Sequence, residues 1–325
     1  MSDFRSTAVV EVLKSRAELL RRTRAFFDNR QFVEVQTPLL SADTVVDRHL
    51  DPISVLLPND PLELTTGRLM WLQTSPEFAM KRLLASGMEA IYQITPAFRI
   101  GESGDQHNPE FTMLEWYRCD DSMEAGIELL SSLVAEMLHV PKAHIITVSG
   151  AFEAHAGFSP FQLSAAGLYQ QCAAAQVDVP KSLDLEDWDS LFDLLFTALV
   201  QPKLGHGTPV IIHDYPASQA ALARIRLEVP RVAERFEMFV DGVELANGYC
   251  ELLDADELWG RNRVVNQQRK ADGKRALPIE SRLLGAMREG LPPCVGVALG
   301  FDRLVMLATG AKTIRDVISF PTDRA

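Results

Sequence analysis

Cysteine is scarce and scattered: Cys119, Cys172, Cys250 and Cys294 stand far apart, and none forms a Cys-x-x-Cys pair. That excludes the usual zinc spacings and a disulfide framework, and predicts a reduced, cytoplasmic protein. No run approaches the roughly 18 consecutive apolar residues that a membrane span needs. The N-terminal Met1-Ser2-Asp3-Phe4-Arg5 leads into a charged helical pattern instead of a signal-type apolar stretch. Basic residues are in deficit, 32 Lys+Arg against 44 Asp+Glu, for a formal net charge of −12. An acidic surface repels a phosphate backbone, so broad nucleic-acid binding is a poor expectation. Also missing are a Gly/Ser-rich linker, a charge block and an internal repeat, so the 325 residues are expected to form a single catalytic domain. What is present, 47% hydrophobic and 23% charged residues, suffices for a large core and excludes disorder.

Between residues 8 and 30, Val9, Leu13, Ala17, Leu20 and Phe27 recur at helical spacing, and Phe32-Val33-Glu34-Val35 behind them reads as a strand ending at Pro38. Further strands are expected at 69–72, 90–94, 111–117, 210–213, 235–240, 243–252 and 295–299, several joined as hairpins. The stretch at about 122–205 reads as a helical insertion, with helices at 123–138, 163–175 and 185–200. Leu191, Leu194, Leu195 and Phe196 there form a core face. The fold class is therefore α+β, an antiparallel sheet flanked by helices.

Three segments carry chemistry. In the first, Phe98-Arg99-Ile100-Gly101-Glu102 leads through a polar loop to His107-Asn108-Pro109-Glu110-Phe111-Thr112-Met113-Leu114-Glu115-Trp116-Tyr117. Arg99 at a strand end offers a planar fork of donors for phosphate, and Phe111 a face on which a base stacks. Taken alone, this is equally a solvated hairpin with one ion pair. In the second, Asp241-Gly242 is a two-residue hairpin turn. Regular register then sets Val240 opposite Val243, Phe239 opposite Glu244 and Glu237 opposite Ala246, so Glu237 and Glu244 share a face. Two such carboxylates need a cation between them, either magnesium or a neighbouring Arg or Lys. In the third, Gly296-Val297-Ala298-Leu299-Gly300-Phe301-Asp302-Arg303 is a strand running into a helix. Arg303 sits in the first turn, where the helix dipole disfavours a cation; a bound anion or pairing with Asp302 resolves the conflict.

Together and in this order, the segments resemble the signature motifs of class II aminoacyl-tRNA synthetases, most closely those of lysyl-tRNA synthetases. Residues 27–38 resemble motif 1, the dimer-forming element; Phe98-Arg99 with Phe111 and Glu115 resemble motif 2; Gly300 to Arg303 resemble motif 3. His107-Asn108-Pro109-Glu110-Phe111-Thr112-Met113 and Glu244-Leu245-Ala246-Asn247-Gly248-Tyr249-x-Glu251-Leu252 are more specific than the general class II pattern. The chain begins almost at once with the motif 1 helix, leaving no room for an anticodon-binding barrel. That form is similar to the elongation factor P β-lysine ligases, as are residues 151–160 and Tyr215-Pro216-Ala217-Ser218-Gln219-Ala220.

The resemblance implies a ligase that uses ATP and Mg2+ to activate (R)-β-lysine or lysine as its adenylate. Transfer to a lysine of elongation factor P follows, by a homodimer that needs neither tRNA nor membrane. A truncated lysyl-tRNA synthetase and a non-catalytic synthetase-like subunit are the alternatives. On this resemblance Arg99 holds the α-phosphate and the attacking carboxylate, and Arg303 the γ-phosphate, as the two catalytic residues. Mg2+ at Glu237 and Glu244 clamps the leaving group. Asn108 and Phe111 position adenine, Leu245 forms part of the nucleotide wall, Gly300 lets the backbone approach closely, and His107 adds a phosphate contact. Glu251, near Tyr117, takes the side-chain amine, while Glu77 and Glu115 hold the other amino group and support Arg99. Ser75, Pro76, Asn247, Tyr249 and Ala298 complete the substrate site, although Ser75-Pro76-Glu77 also makes an ordinary helix start.

Two departures from the family stand out. The acid expected two residues after Arg99 is replaced by Gly101 and stands instead at Glu102, which passes the adenine amino contact to backbone groups of Ile100 and Gly101. Ala298 stands where lysyl-tRNA synthetases generally have Gly. Its methyl favours an amine shifted by one carbon, a difference of about 1–3 kcal/mol. Finally, alternation from Glu244 sets Asn247, Tyr249 and Glu251 on the wrong face, so one extra residue is expected within Leu245 to Gly248, with Gly248 a natural place for it.

Overall fold

The computed structural model describes residues 4–325; Met1 to Asp3 of the charged N-terminal segment lie outside the described residues. In chain order the first part carries α1 (Val10–Asp28), β1 (Val33–Glu34), β2 (Leu40–Ser41), β3 (Ser54–Pro58), β4 (Gly67–Leu72), α2 (Glu77–Ala85), β5 (Ala90–Phe98) and β6 (Glu110–Cys119). The middle carries α3 (Met123–Leu138), β7 (His144–Thr147), α4 (Val148–Ala156), α5 (Ala165–Ala174), α6 (Trp188–Leu195), β8 (Val210–Pro216), β9 (Ile225–Arg226), β10 (Val232–Val240) and β11 (Val243–Cys250). The last part carries α7 (Ala255–Ala271), α8 (Arg282–Gly290), β12 (Cys294–Gly300) and α9 (Phe301–Thr309). The chain packs as two compact units, residues up to 122 together with 251–325, and residues 123–250.

In the first unit the strand order is β1-β5-β6-β12. β5 and β6 form the expected hairpin, with Gln93 opposite Glu115 and Phe98 opposite Glu110. β12 lies antiparallel on the other side of β6, with Gly296 opposite Tyr117 and Ala298 opposite Glu115. Only the short β1 is parallel, on β5. This register sets acids and glycine on adjacent strands, so the centre of the sheet is polar by construction. Aromatic packing fixes α1 to it: Phe27 is fully buried, stacks on Tyr92 at 4.6 Å and lies 5.3 Å from the Trp116 ring. A small sheet, β2-β4-β3, completes the unit.

In the second unit the order is β11-β10-β8-β7, with β9 on β10. Its core joins Phe152, Phe192, Phe196 and Phe239 with Leu191 and Leu195, and Leu194 packs partly buried against it, as the expected core face requires. The stretch at 122–205 is not wholly helical, however. His144–Thr147 forms β7, parallel to β8 with His144 opposite Val210. Four residues are too few to carry a visible alternation. A helix also stands where the sequence gave no apolar periodicity: the buried face of α7 is Ala255, Leu258, Asn262, Asn266 and Arg269, helically spaced but largely polar. Asn266 is satisfied by the backbone of Leu277 in both directions, and Arg269 by Asp51 and the carbonyls of Asp47 and Arg275.

Candidate active site

Arg99 follows β5, its N–H donating to the Pro109 carbonyl at 2.9 Å, so the hairpin continues one rung past the strand. Its guanidinium lies 4.9 Å from the Phe111 ring centre and pairs with Glu102 at 3.3 Å. Glu102, one residue later than the family's acid, therefore meets the same arginine because Gly101 turns the chain at φ +80°. This corrects the expected support of Arg99 by Glu77 and Glu115: Glu102 supplies it. Ile100 also differs, since its N–H donates to Asp51 O at 2.8 Å and is not available to a base. The amide of Asn108 is engaged internally as well, donating to Glu110 O at 2.6 Å and Thr322 Oγ1 at 3.1 Å and accepting from Thr322 N–H at 3.2 Å. The amide thus ties the turn before β6 to Thr322.

Arg303 occupies the first turn of α9, and Nη2 lies 2.8 Å from His107 Nε2. Burial, reinforced by the Arg303 charge, holds the His107 pKa below its ordinary 6.5, so the ring is a neutral acceptor. Pairing of Arg303 with Asp302 is replaced by another arrangement. Asp302 is buried, bonded to Arg16 Nη1 at 2.6 Å and to Thr112 N–H at 2.7 Å. Gly300 precedes the helix, and a methyl there would meet nothing closer than Arg303 Cδ at 3.5 Å. Internal packing thus does not demand glycine at 300.

The acids expected to meet the amine form a buried charge cluster. Ser75 Oγ accepts from Glu77 N–H at 3.0 Å and donates to Glu115 Oε2 at 3.0 Å, so Ser75-Pro76-Glu77 is both a helix start and a wall of the cluster. Tyr117 donates its hydroxyl to Glu115 Oε1 at 2.6 Å. Lys81, one helical turn beyond Glu77, reaches Glu77 Oε1 at 2.5 Å and also pairs with Glu251. Lys81, Glu115 and Glu251 are each no more than 2% exposed. Burial pushes the carboxyls of Glu115 and Glu251 up to about 8. Burial works against the Lys81 ammonium, but Glu251 and Glu77 outweigh it and hold its pKa above the ordinary 10.5. Three acids and one lysine make −3 + 1 = −2 when all are ionised.

Two residues of this cluster escaped the sequence. Lys81 reads there as one end of a surface Glu-x-x-x-Lys pair. Gly296 reads as strand punctuation, yet a methyl at that position would lie 2.2 Å from the Tyr117 ring and 2.4 Å from Glu251 Oε1. The signal in the sequence was a glycine inside an otherwise apolar strand, a mark of close approach.

On the β10–β11 hairpin the turn is the expected one, with positive φ at Asp241 (49°) and Gly242 (76°). Phe239 faces Glu244, but Met238 faces Ala246 and Glu237 faces Asn247, not Ala246. The extra residue is Leu245, buried in the bulge; Gly248 instead makes room for the Phe236 ring, which a methyl would approach to 2.4 Å. Glu237 and Glu244 thus share a face with Asn247 and Tyr249. Glu237 donates nothing and accepts twice, from Tyr215 OH at 2.5 Å and from Arg235 Nη2. Tyr215, whose pKa burial raises well above 10, is raised further by both Glu237 and Glu244. The internal cation that the sequence left open beside magnesium is therefore present as Arg235. Both Glu237 oxygens are engaged, an arrangement that does not fit a ready-made magnesium ligand. Among the described residues no group of three or more His, Cys, Asp and Glu side chains is placed to hold a metal ion. Asn247 Oδ1 is buried with no hydrogen-bond partner among the described residues.

Comparison with known proteins gives a consistent picture. The family model for class II tRNA synthetases (D, K and N) matches residues 1–324. The chain is similar to a protein of Histophilus somni (strain 2336) named elongation factor P (R)-β-lysine ligase, 42% identical over 322 residues, 99% of this chain and 98% of that protein. Proteins of the same name from Yersinia enterocolitica (42% over 325 residues, 100% of this chain and 99% of that protein) and Salmonella arizonae (44% over 323 residues, 99% and 98%) are similar to it as well.

Proposed function

Because this chain belongs to the class II tRNA synthetases, we propose that it joins (R)-β-lysine or lysine to ATP as the aminoacyl-adenylate and passes the acyl group to a lysine of elongation factor P. The observation that carries the amine specificity is the cluster of Glu77, Glu115 and Glu251 around a single Lys81. With all three acids ionised it carries an excess of two negative charges, which matches a substrate with two ammonium groups, and burial makes that ionisation costly until the ammonium groups arrive.

In the first step the substrate carboxylate attacks the α-phosphate, one P–O bond forms, and the bond to pyrophosphate breaks. Arg99 neutralises charge on the pentacoordinate phosphate, its guanidinium held 4.9 Å from the Phe111 ring centre. Arg303, oriented by His107, meets the outer phosphates, which relieves the helix-dipole conflict. In the second step an acceptor lysine amine attacks the acyl carbon and AMP leaves. Magnesium bound with ATP would supply charge neutralisation of the leaving pyrophosphate, and Glu237, already held by Tyr215 and Arg235, is not assigned to it.

Val9, Val10 and Val33 on α1 and the strand after it are 51–60% exposed, and we assign this apolar stretch to a homodimer interface. Four scattered cysteines with no Cys-x-x-Cys pair accord with the cytoplasm, and no described helix is long and apolar enough to cross a membrane. The acidic balance accords with a protein acceptor in place of tRNA.

Amino-acid-dependent exchange of pyrophosphate into ATP, run with (R)-β-lysine, α-lysine and other amino acids, tests the adenylate step. Exchange confined to lysine-type substrates, with acyl transfer to elongation factor P, is expected. Exchange with no lysine-type amine, or transfer to tRNA but not to the protein, overturns the reading. Light scattering tests the interface, with a monomer active in exchange as the contrary outcome.

A further inference from the structure

We propose that Lys81 is a positioning residue for amine recognition: its ammonium fixes the carboxylates of Glu77 and Glu251 in one arrangement and limits the excess negative charge offered to the substrate to two. The assignment rests on the amine-activating reading above and adds to it a residue that does not itself meet the substrate's reacting atoms.

The geometry separates this role from that of a structural ion pair. A structural pair in a protein interior balances its charges, because each unmatched buried ion costs several kcal/mol. Here one ammonium stands among three acids. Glu77 comes from α2, Glu115 from β6 with Tyr117 beside it, and Glu251 from the segment after β11. Lys81 takes one oxygen of Glu77, Oε1, and one of Glu251, Oε2, and leaves the second oxygen of each unengaged by it. Glu115 is held separately, by Ser75 on one oxygen and Tyr117 on the other. The cluster is thus two fixed halves, Ser75–Glu115–Tyr117 and Glu77–Lys81–Glu251.

Gly296 supports the same conclusion from the opposite strand. The absence of a side chain there makes room for Glu251 Oε1 and the Tyr117 ring. A core built for stability alone would fill that place with a methyl and dispense with an acid. Lys81 also lies 5.9 Å from the Tyr117 ring centre, so the aromatic face helps hold the ammonium where it stands.

The ammonium further keeps the acids ionisable. Its charge lowers the pKa of both Glu115 and Glu251 against the burial that raises them. Without Lys81, a larger share of these carboxyls is protonated at neutral pH and cannot pair with an incoming ammonium. Tyr117 is the remaining titratable neighbour, and burial keeps its phenol neutral.

The test uses the full chain carrying Lys81→Met or Lys81→Arg, assayed by pyrophosphate exchange with (R)-β-lysine across pH 6 to 10. Melting curves and calorimetric titration with a non-hydrolysable ATP analogue accompany it. Lys81→Met is expected to raise the KM for the amine roughly 10- to 100-fold, the worth of one charge-assisted contact network, with unchanged nucleotide affinity. The acid limb of its kcat/KM profile is expected to move up by one pH unit or more. Lys81→Arg keeps the charge but not the compact ammonium, so KM rises several-fold while the acid limb stays at the wild-type position. A merely structural role would lower melting temperature and leave KM and the limb in place. A folded Lys81→Met with wild-type KM and pH profile overturns the assignment; if that variant does not fold, wild-type KM in Lys81→Arg overturns it. Wild-type protein that exchanges with no lysine-type amine overturns the amine-activating reading and this assignment together, whereas active wild type with indifferent Lys81 variants overturns this assignment alone.

Discussion

Arg303 and His107 face each other at 2.8 Å between Nη2 and Nε2, with the imidazole neutral and accepting. The contact orients an arginine that sits against the dipole of its own helix. His107→Ala should leave the fold intact and raise the KM for ATP roughly tenfold, the scale of a hydrogen bond to a charged group. The pH dependence has a definite sign. The folded-state pKa lies below 6.5, so the contact is complete above that value and is lost as the pH falls through the lowered one. Wild-type KM for ATP should therefore climb on acidification, and the alanine variant should lack that inflection. Steady-state kinetics from pH 5 to 8 reads both.

Gly296→Ala is expected to be the most damaging small substitution in β12. Its methyl would meet the Tyr117 ring at 2.2 Å and Glu251 Oε1 at 2.4 Å. A strand backbone cannot retreat easily, so the ring and the carboxylate must shift, at a cost of about 1–3 kcal/mol for overpacking. Amine-dependent exchange should fall by two orders of magnitude or more, while binding of an ATP analogue changes less than threefold. Gly300→Ala in the same strand is the comparison, since its methyl would meet only the Arg303 side chain, no closer than 3.5 Å. Equal damage from both would show that glycine is needed here for backbone reasons, not for room.

The placement of the motif residues was legible in their order along the chain: Arg99 and Phe111 flank one hairpin loop, and Arg303 stands just past a Gly-marked strand. The hairpin turn at Asp241-Gly242 was legible because only a few residues tolerate its dihedrals. Burial was not. Glu77 and Lys81 have the spacing of a solvated pair, and nothing in a sequence distinguishes that from a buried ion pair whose lysine, 1% exposed, stands among three acids. The bulge was inferred from the need to turn a face, but its place went to Leu245, since Gly248 was already required by the Phe236 ring. The helix α7 was hidden for a related reason: its inward face is satisfied by hydrogen bonds, not by apolar contact.

Stability without substrate should fall as the pH rises. Glu115 and Glu251 titrate near 8 in the folded chain against 4.5 for the ordinary group. A carboxyl with a raised folded pKa contributes stability that is full below 4.5 and is lost as the pH climbs through about 8. Melting temperature should decline across this window, and Glu115→Gln should flatten the decline. Adding (R)-β-lysine should reverse it, because ammonium groups favour the ionised acids and binding then releases protons. Calorimetry in buffers of different ionisation heat measures that release; binding with no proton release near pH 7 would be the contrary result.

Arg303→Ala and Glu251→Ala should fail in different ways, since one serves ATP and the other the amine. Arg303→Ala removes a cation from the phosphate end and should depress exchange with every amino acid, on the order of 100-fold, as loss of one preorganised donor does. Glu251→Ala strands the Lys81 ammonium on Glu77 alone and removes an acid from the incoming amine, so recognition of lysine-type substrates should collapse. Affinity for a non-hydrolysable ATP analogue should drop in the first variant and hold in the second. Glu251→Gln, which keeps the shape and loses the charge, should follow Glu251→Ala in the amine KM while melting closer to wild type. Calorimetric titration beside pyrophosphate exchange separates the two ends of the site. Equal loss of nucleotide binding in Arg303→Ala and Glu251→Ala would move Glu251 out of the amine cluster's function and leave Glu77 and Glu115 to account for the specificity.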